Sequence, residues 1–382
     1  MAVTENVTPL HAPDALPPMN TSGRVDRLRE LLDGAGCDAL VVTNLTNVRY
    51  LVGFSGSAGQ LLVTAERAVF VTDGRYRDQS ADEIAAAGLA DAVEIEIVGS
   101  EPDAALAAVV SGSTGLRLGL EADAVTWTAQ RRWANDLVST AELVPTSGVV
   151  EALRLVKDPG EAARIRSACA VADAAFAMVR SRLADGVTEA EFALDLDMTM
   201  RSLGASDVSF ETIVAAGANG ARPHHHPSDH LIVEGEMVVV DFGALVDGYH
   251  SDMTRTVAVG EVSPDRRRML DVVLESQAAG VVALGNGEDA RGVDAACRAV
   301  IDDAGWGEAF VHSTGHGVGL DIHEEPRVSA RSVDRLVPGH VVTVEPGVYL
   351  PDLGGVRIED TLLVTVGGCD RLTLAPKDPA LV

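Results

Sequence analysis

Lysine is nearly missing from this 382-residue chain: Lys157 and Lys377 are the only two, which leaves 28 arginines among its 30 basic residues. With alanine, valine and glycine abundant, this is a compositional bias and carries no functional reading by itself. Positive charge is short as a whole, because 57 acidic residues set a formal net charge of −27 and a pI near 4.6. Nucleic acid, whose phosphates such a chain would repel, is excluded as a partner. Cysteine is scarce too. Cys37, Cys169, Cys297 and Cys369 lie far apart without a CxxC, so no disulfide scaffold is expected, and packed thiols in a reducing, cytoplasmic compartment are. No apolar run reaches the roughly 18 residues of a membrane span. Residues 1–20, with Pro9, Pro13, Pro17 and Pro18, lack the basic start and apolar core of a signal peptide and read as a disordered tail. A GxGxxG phosphate loop is also missing, and the stretch from Gly53 to Gly59 fails GxSxG at both Ser55 and Ser57, so it reads as a tight turn.

What is present is a globular composition, 47% hydrophobic and 23% charged, on a chain too long for one ordinary core. Two domains are expected. Within residues 21–150, Val25–Leu32 reads as an amphipathic helix and 39–43, 60–64 and 68–72 as strands. Helical segments near 82–87 and 103–110 then alternate with strands near 93–98 and 116–120, which predicts an α/β domain. A boundary falls at 150–159, where Asp158-Pro159-Gly160-Glu161 is a capping box with proline at the first helical position. The apolar stripe of that helix runs Ile165, Ala168, Ala172, Ala175, Val179, Leu183. Thr188 with Glu191 caps a second helix that stops at Gly204; a strand at 210–215 and a loop rich in histidine and glycine follow.

The stretch that organises residues 156–382 is Gly235–Val259, which sets Asp241 and Asp252 within β-branched runs on either side of a turn at Val246–Tyr249. A second copy runs from Gly339 to Val366. Gly235, Asp241 and Gly243 match Gly339, Glu345 and Gly347 at a constant offset of 104, and the second acids, Asp252 and Glu359, follow by 11 and 14 residues. Each hairpin should therefore set its two acids roughly opposite each other. Two helices precede each hairpin, the second pair beginning at Ser263-Pro264 and Gly292. This is an α+β domain built by internal duplication about a pseudo-two-fold axis. Acids in such strands are rarely left buried without a partner, and four carboxylates meeting at the axis call for cations.

Between the hairpins stand His312, His316 and His323 among glycines that permit close backbone approach. Four carboxylates and one imidazole are hard oxygen donors with one borderline nitrogen. That set suits Mn(II) or a similar ion better than a structural zinc held by thiolates. Two divalent ions would offset the four charges, and in such pairs they sit about 3.5–4 Å apart and acidify a bridging water. Metal-assisted hydrolysis is the chemistry indicated.

The run from Pro223-His224 through Asp241, Asp252, His312-Ser-Thr-Gly-His316, His323, Glu345-Pro-Gly and Arg357-Ile-Glu359 resembles the pita-bread metallopeptidases, and among them prolidase and aminopeptidase P. The resemblance covers the whole second domain; residues 21–150 resemble, more weakly, the creatinase-type N-terminal domain of that family. It implies that Asp241 holds one ion, that His316 and Glu345 hold the other, and that Asp252 and Glu359 bridge both. Glu345 would also relay the proton of the attacking water. His323 would steady the oxyanion, His312 line the proline pocket and His224 contact substrate, with His225 and His226 left as loop histidines. Arg357, two residues from Glu359 on one strand face, would bind the substrate carboxylate or orient a ligand. The resemblance further implies two ions, Mn(II) with Co(II) or Zn(II) as alternatives, a small peptide with proline at its second position, and a homodimer.

The Xaa-Pro bond is a tertiary amide with no N–H, so a dedicated pocket beside a metal pair suits it. A metal-free creatinase-like hydrolase or binding module would have lost ligands that are complete here, and methionine aminopeptidase is disfavoured by the large first domain and the His224 region. The 14 residues from Glu345 to Glu359 resemble the compact hairpin of prolidases more than the longer insertion of many aminopeptidases P. Arg357 is placed to meet a free proline carboxylate. Hydrolysis of Xaa-Pro dipeptides is therefore expected, with aminopeptidase action on longer peptides as the alternative.

Overall fold

The computed structural model describes residues 16–113, 115–285 and 287–380. These form two compact units, one of Met19–Arg154 and one of Leu155 onward together with the described residues before Met19.

In the first unit α1 (Arg24–Leu32) is followed by β1 (Ala39–Val42), α2 (Leu45–Val52), β2 (Gln60–Thr64), β3 (Ala68–Asp73), α3 (Arg77–Ala86) and β4 (Glu94–Val98). Next come α4 (Pro102–Val109), β5 (Arg117–Glu121), α5 (Trp127–Arg132), β6 (Glu142–Thr146) and α6 (Val149–Arg154). The six strands make one mixed sheet in the order β4-β3-β2-β1-β5-β6. Its centre is apolar on both faces: β1 is buried along its whole length. The sequence reading passes over α2 because Leu45–Val52 is rich in β-branched and aromatic residues. Its caps betray it nonetheless: Asn44 accepts from the Thr46 N–H, and Gly53 at φ 80° ends the helix with its N–H on the Arg49 carbonyl. Strand β6 was missed for another reason. It is a half-exposed edge strand carrying Pro145, which weakens every strand signal.

The second unit opens with α7 (Pro159–Val179) and α8 (Glu189–Ser202), each begun by its full capping box. Strands β7 (Asp207–Val208), β8 (Ile213–Ala216), β9 (Met237–Phe242), β10 (Ala244–Val246), β11 (Tyr249–His250) and β12 (Met253–Ala258) follow. Then come α9 (Pro264–Gly285), α10 (Ala290–Asp303), β13 (Gly315–Gly317), β14 (Glu324–Val328), β15 (Val341–Val344), β16 (Gly347–Leu350), β17 (Gly354–Arg357), β18 (Asp360–Thr365) and β19 (Gly368–Arg371). The duplication is visible in the pairing. Antiparallel β8-β9-β12 corresponds to β13-β15-β18, the small hairpin β10–β11 to β16–β17, and helices α7 and α8 to α9 and α10.

Each half has its own core. Ala168, Ala172 and Phe176 of α7 pack with Val238, Val240 and Phe242 of β9. Met269 and Val273 of α9, with Cys297 and Ile301 of α10, pack with Val342, Val344 and Leu362. Each large side chain so buried stabilises the fold by about 1.5–3 kcal/mol. The two halves join through side-chain and backbone bonds near the axis: Glu359 N–H to the Thr254 carbonyl at 3.1 Å, Thr361 Oγ1 to the Asp252 carbonyl at 2.7 Å, and Thr256 Oγ1 to the Arg357 carbonyl at 2.9 Å.

Two sequence expectations shift. In the first hairpin Asp241 pairs with Thr254, so Asp252 stands two residues along, diagonal to Asp241 on the same face. In the second, Val344 pairs with Asp360, and one further step of that register sets Glu345 against Glu359. The disordered tail expected for 1–20 lies outside the described residues up to Ala15, while Leu16 packs on the core of the first half and the Pro17 carbonyl accepts from Arg164 Nη1 at 2.8 Å. Among the described residues no helix is long and apolar enough to cross a membrane.

Candidate metal centre

The acids sit where strands begin or end. Asp241 is in β9, Asp252 immediately precedes β12, Glu345 follows β15, and Glu359 precedes β18, while His316 is the middle residue of β13. Glycine on either side of His316 is required: a Cβ at Gly315 would stand 2.0 Å from the Thr343 carbonyl oxygen, and one at Gly317 2.3 Å from that of Glu325. Only bare backbone fits that close between β14 and β15.

All nine site residues read from the sequence line one cavity of about 360 Å³: His224, Asp241, Asp252, His312, His316, His323, Glu345, Arg357 and Glu359. Phe210, Ile213, Ile322 and Tyr349 add apolar wall. Ligand atoms of Asp252, His316 and Glu359 lie within 4.8 Å of one another. His316 Nε2 is 3.4 Å from both Asp252 Oδ2 and Glu345 Oε1. Donors bonded to one cation at about 2.0–2.2 Å stand about 3.0–3.4 Å apart, so these spacings leave room for an ion. His316 Nδ1 donates to the Gly317 carbonyl at 2.9 Å, which turns Nε2 towards the acids.

Two oxygens carry the test of fit. Asp241 Oδ1 and Glu359 Oε1 are buried and accept no hydrogen bond, although the second oxygen of each is held, Asp241 Oδ2 by Arg357 Nη2 at 2.6 Å and Glu359 Oε2 by Thr254 Oγ1 at 2.8 Å. A buried carboxylate oxygen without a donor is costly, and a cation satisfies it. Protons compete for the same places. Burial lifts Asp252 to about 6 and Glu345 to about 7, and lifts Glu359 well above the carboxylate range. At His316 burial acts downward, but the Asp252 hydrogen bond and the Glu345 charge outweigh it and raise the imidazole to about 9.

The metallopeptidase family M24 matches residues 163–366, and the creatinase/prolidase N-terminal domain matches residues 24–156. The chain belongs to metallopeptidase family M24. This M24 enzyme is 35% identical, over 356 residues covering 93% of it and 98% of the relative, to the Xaa-Pro dipeptidase of Pyrococcus horikoshii. Its fold is similar to that of an Xaa-Pro dipeptidase from Bacillus anthracis (TM-score 0.90, 40% identity, 95% and 100% of the two chains covered). It is also similar to that of an X-Pro aminopeptidase from Thermotoga maritima MSB8 (TM-score 0.83, 33% identity, 92% and 99% covered). The second unit is thus the pita-bread domain of a metallopeptidase, a family whose chemistry implies divalent metal ions.

The M24 site also holds residues that the sequence reading missed. Arg357 Nη1 donates to Tyr349 Oη at 2.8 Å, and Tyr349 Oη lies 2.9 Å from His312 Nε2, whose Nδ1 is 2.7 Å from the Ser313 carbonyl. The network assigns a neutral His312 that donates from Nδ1 and accepts from Tyr349. Burial, then the Arg357 charge, holds it down at about 4. Strand alternation from Glu345 through Gly347 to Tyr349 was the available signal. His225, read as a loop histidine, lies in that loop and is buried, with Nε2 2.8 Å from Glu189 Oε2. Glu189 also accepts from the N–H groups of Ala216 and Ser228 and from Asn219 Nδ2, which fixes the loop carrying His224. His226 is exposed beside Glu211.

Proposed function

We propose that this M24 enzyme is an Xaa-Pro dipeptidase that works with two divalent ions, Mn(II) first among them, held by Asp241, Asp252, His316, Glu345 and Glu359. The observation that carries the metal reading is the pair of orphaned buried oxygens on Asp241 and Glu359. When bound, the ions supply Lewis acidity, polarising the scissile carbonyl and making water nucleophilic near neutral pH. Glu345 takes the proton of the attacking water and passes it to the departing proline nitrogen. His323, whose imidazole burial pushes down to about 4, faces the developing oxyanion. His224 contacts the peptide, and the His312 ring with Tyr349 and the apolar wall takes the proline ring.

A cation on the wall favours dipeptides. Arg357 spends its guanidinium on Asp241, Tyr349, Thr254 and the Pro223 carbonyl, so of the two roles open to it in the sequence, orienting a ligand is the one its bonds support. Arg327 also lines the cavity; its guanidinium has no hydrogen bond among the described residues, and Nε is 3.9 Å from Glu325 Oε1. It is the group placed to meet a free proline carboxylate. The reading is supported by relatives named Xaa-Pro dipeptidase at 35–40% identity. Under Mn(II), matched Xaa-Pro dipeptides and Xaa-Pro-Xaa tripeptides should differ in kcat/KM in favour of the dipeptides, and Arg327→Ala should narrow the gap. Equal or faster turnover of tripeptides makes the enzyme an aminopeptidase P. The homodimer and cytoplasmic location expected from the sequence stand as part of the same proposal.

A further inference from the structure

His323 is held in an unusual way for a residue at a reaction centre. Its ring makes no hydrogen bond among the described residues; its ring contact is an edge-on one with His316, centroids 4.4 Å apart at 68°. The position of the imidazole is therefore set by its backbone, the turn of residues 318–323 that joins β13 to β14. That turn is closed by Glu324, which pairs with Gly317 across the ladder. Glu324 Oε1 accepts the Asp321 N–H at 3.1 Å, and Oε2 lies 3.0 Å from Lys157 Nζ.

The Lys157–Glu324 pair is buried, with side chains 1% and 7% exposed. Lys157 is itself fixed, because its N–H donates to the Gly339 carbonyl at 2.9 Å. A buried ion pair of this kind contributes little net stability against apolar residues of the same shape, so stability alone gives no reason for one of only two lysines in the chain to stand here. The geometry gives one: an ammonium fixed on the start of the catalytic unit holds the carboxylate that holds the turn.

We propose that Lys157 is a positioning residue, acting through Glu324 to hold the 318–323 turn so that His323 meets the reacting carbonyl. This rests on the reading that His323 acts there. Removing Lys157 alone would strand a buried carboxylate and endanger folding, so the informative variant changes both partners, Lys157→Met with Glu324→Leu. Its melting temperature and metal content should stay close to those of the wild type. Its kcat should fall about 10- to 100-fold, the usual cost of a misplaced group, with KM little changed. In a His323→Ala background the same two changes should cost no further rate, because effects routed through one residue do not add. Should the leucine variant fail to fold, Lys157→Met with Glu324→Gln removes the ion pair but keeps an oxygen for the Asp321 N–H, and is read by the same comparison.

Four results overturn the proposal. A folded double variant with wild-type kcat shows that the pair positions nothing. Loss of metal shows that it supports the ligands instead. An equal further loss of rate in the His323→Ala background shows that it acts by another route. Wild-type kcat in His323→Ala itself removes the role of His323, and with it the positioning role, while leaving the metal reading in place.

Discussion

Arg357 Nη2 lies 2.6 Å from Asp241 Oδ2, with the two side chains 5% and 14% exposed. One oxygen of Asp241 is thereby fixed and the other is left buried without a donor. The arginine thus sets the direction of a carboxylate that would otherwise rotate.

Arg357→Ala should weaken metal binding about 10- to 100-fold, the usual effect of removing a group that orients a ligand, and should leave the dipeptide preference unchanged. Calorimetric Mn(II) titration with parallel kinetics on dipeptides and tripeptides checks both halves. A variant with wild-type affinity but a lost preference would return the carboxylate-binding role to Arg357.

Asp252→Asn removes a negative charge at the point where the two halves meet, so both ions should be lost along with activity. Elemental analysis of the purified variant decides it. Two ions per chain in the variant would end the assignment of Asp252 as a bridge.

His323→Ala should keep its metal and lose about 10²–10³ in kcat, the usual cost of deleting one group that stabilises developing charge. Collapse of the metal content would make His323 a ligand or a structural residue.

Stability should depend on pH in opposite ways with and without metal. Asp252, Glu345 and His316 all have folded-state values above their ordinary ones: about 6 against 3.8, about 7 against 4.5 and about 9 against 6.5. A raised group stabilises the fold below its ordinary value, and that contribution is lost as pH rises through the raised value. All three therefore act in the same direction. Chelated protein should lose melting temperature steadily from about pH 4 to pH 9, while Mn(II), which displaces the protons, should protect more strongly as pH rises. A gap between loaded and chelated protein that stays constant with pH would contradict this.

The acids were legible because a carboxylate in a β-branched run is expensive to bury, and the duplication at a constant offset showed that the expense is repeated. Their facing was less legible. The small hairpin β10–β11 and the pair β9–β12 share one register, Leu245 with His250 and Asp241 with Thr254, so Asp252 stands diagonal to Asp241 once the turn is centred on Asp247-Gly248 and not merely placed between the two acids. Arg357 was placed on the right face by strand alternation, but a face does not name a partner, and Asp241 is 116 positions away. The same limit hid Glu189 from His225, which are 36 apart and joined only in the fold. Helix α2 was hidden by residues whose local preference is for strands, against caps that decide for helix.

Both side-chain amines of this chain are occupied. Lys157 is in its pair with Glu324, and Lys377 Nζ lies 2.5 Å from Asp360 Oδ2 and 2.6 Å from Gln277 Oε1. The surface that acylating reagents usually attack is built here from arginine, which they leave alone. Acylation at Lys157, whose side chain is 1% exposed, therefore serves as a clock for local opening: each event there records a moment when its pair with Glu324 has come apart.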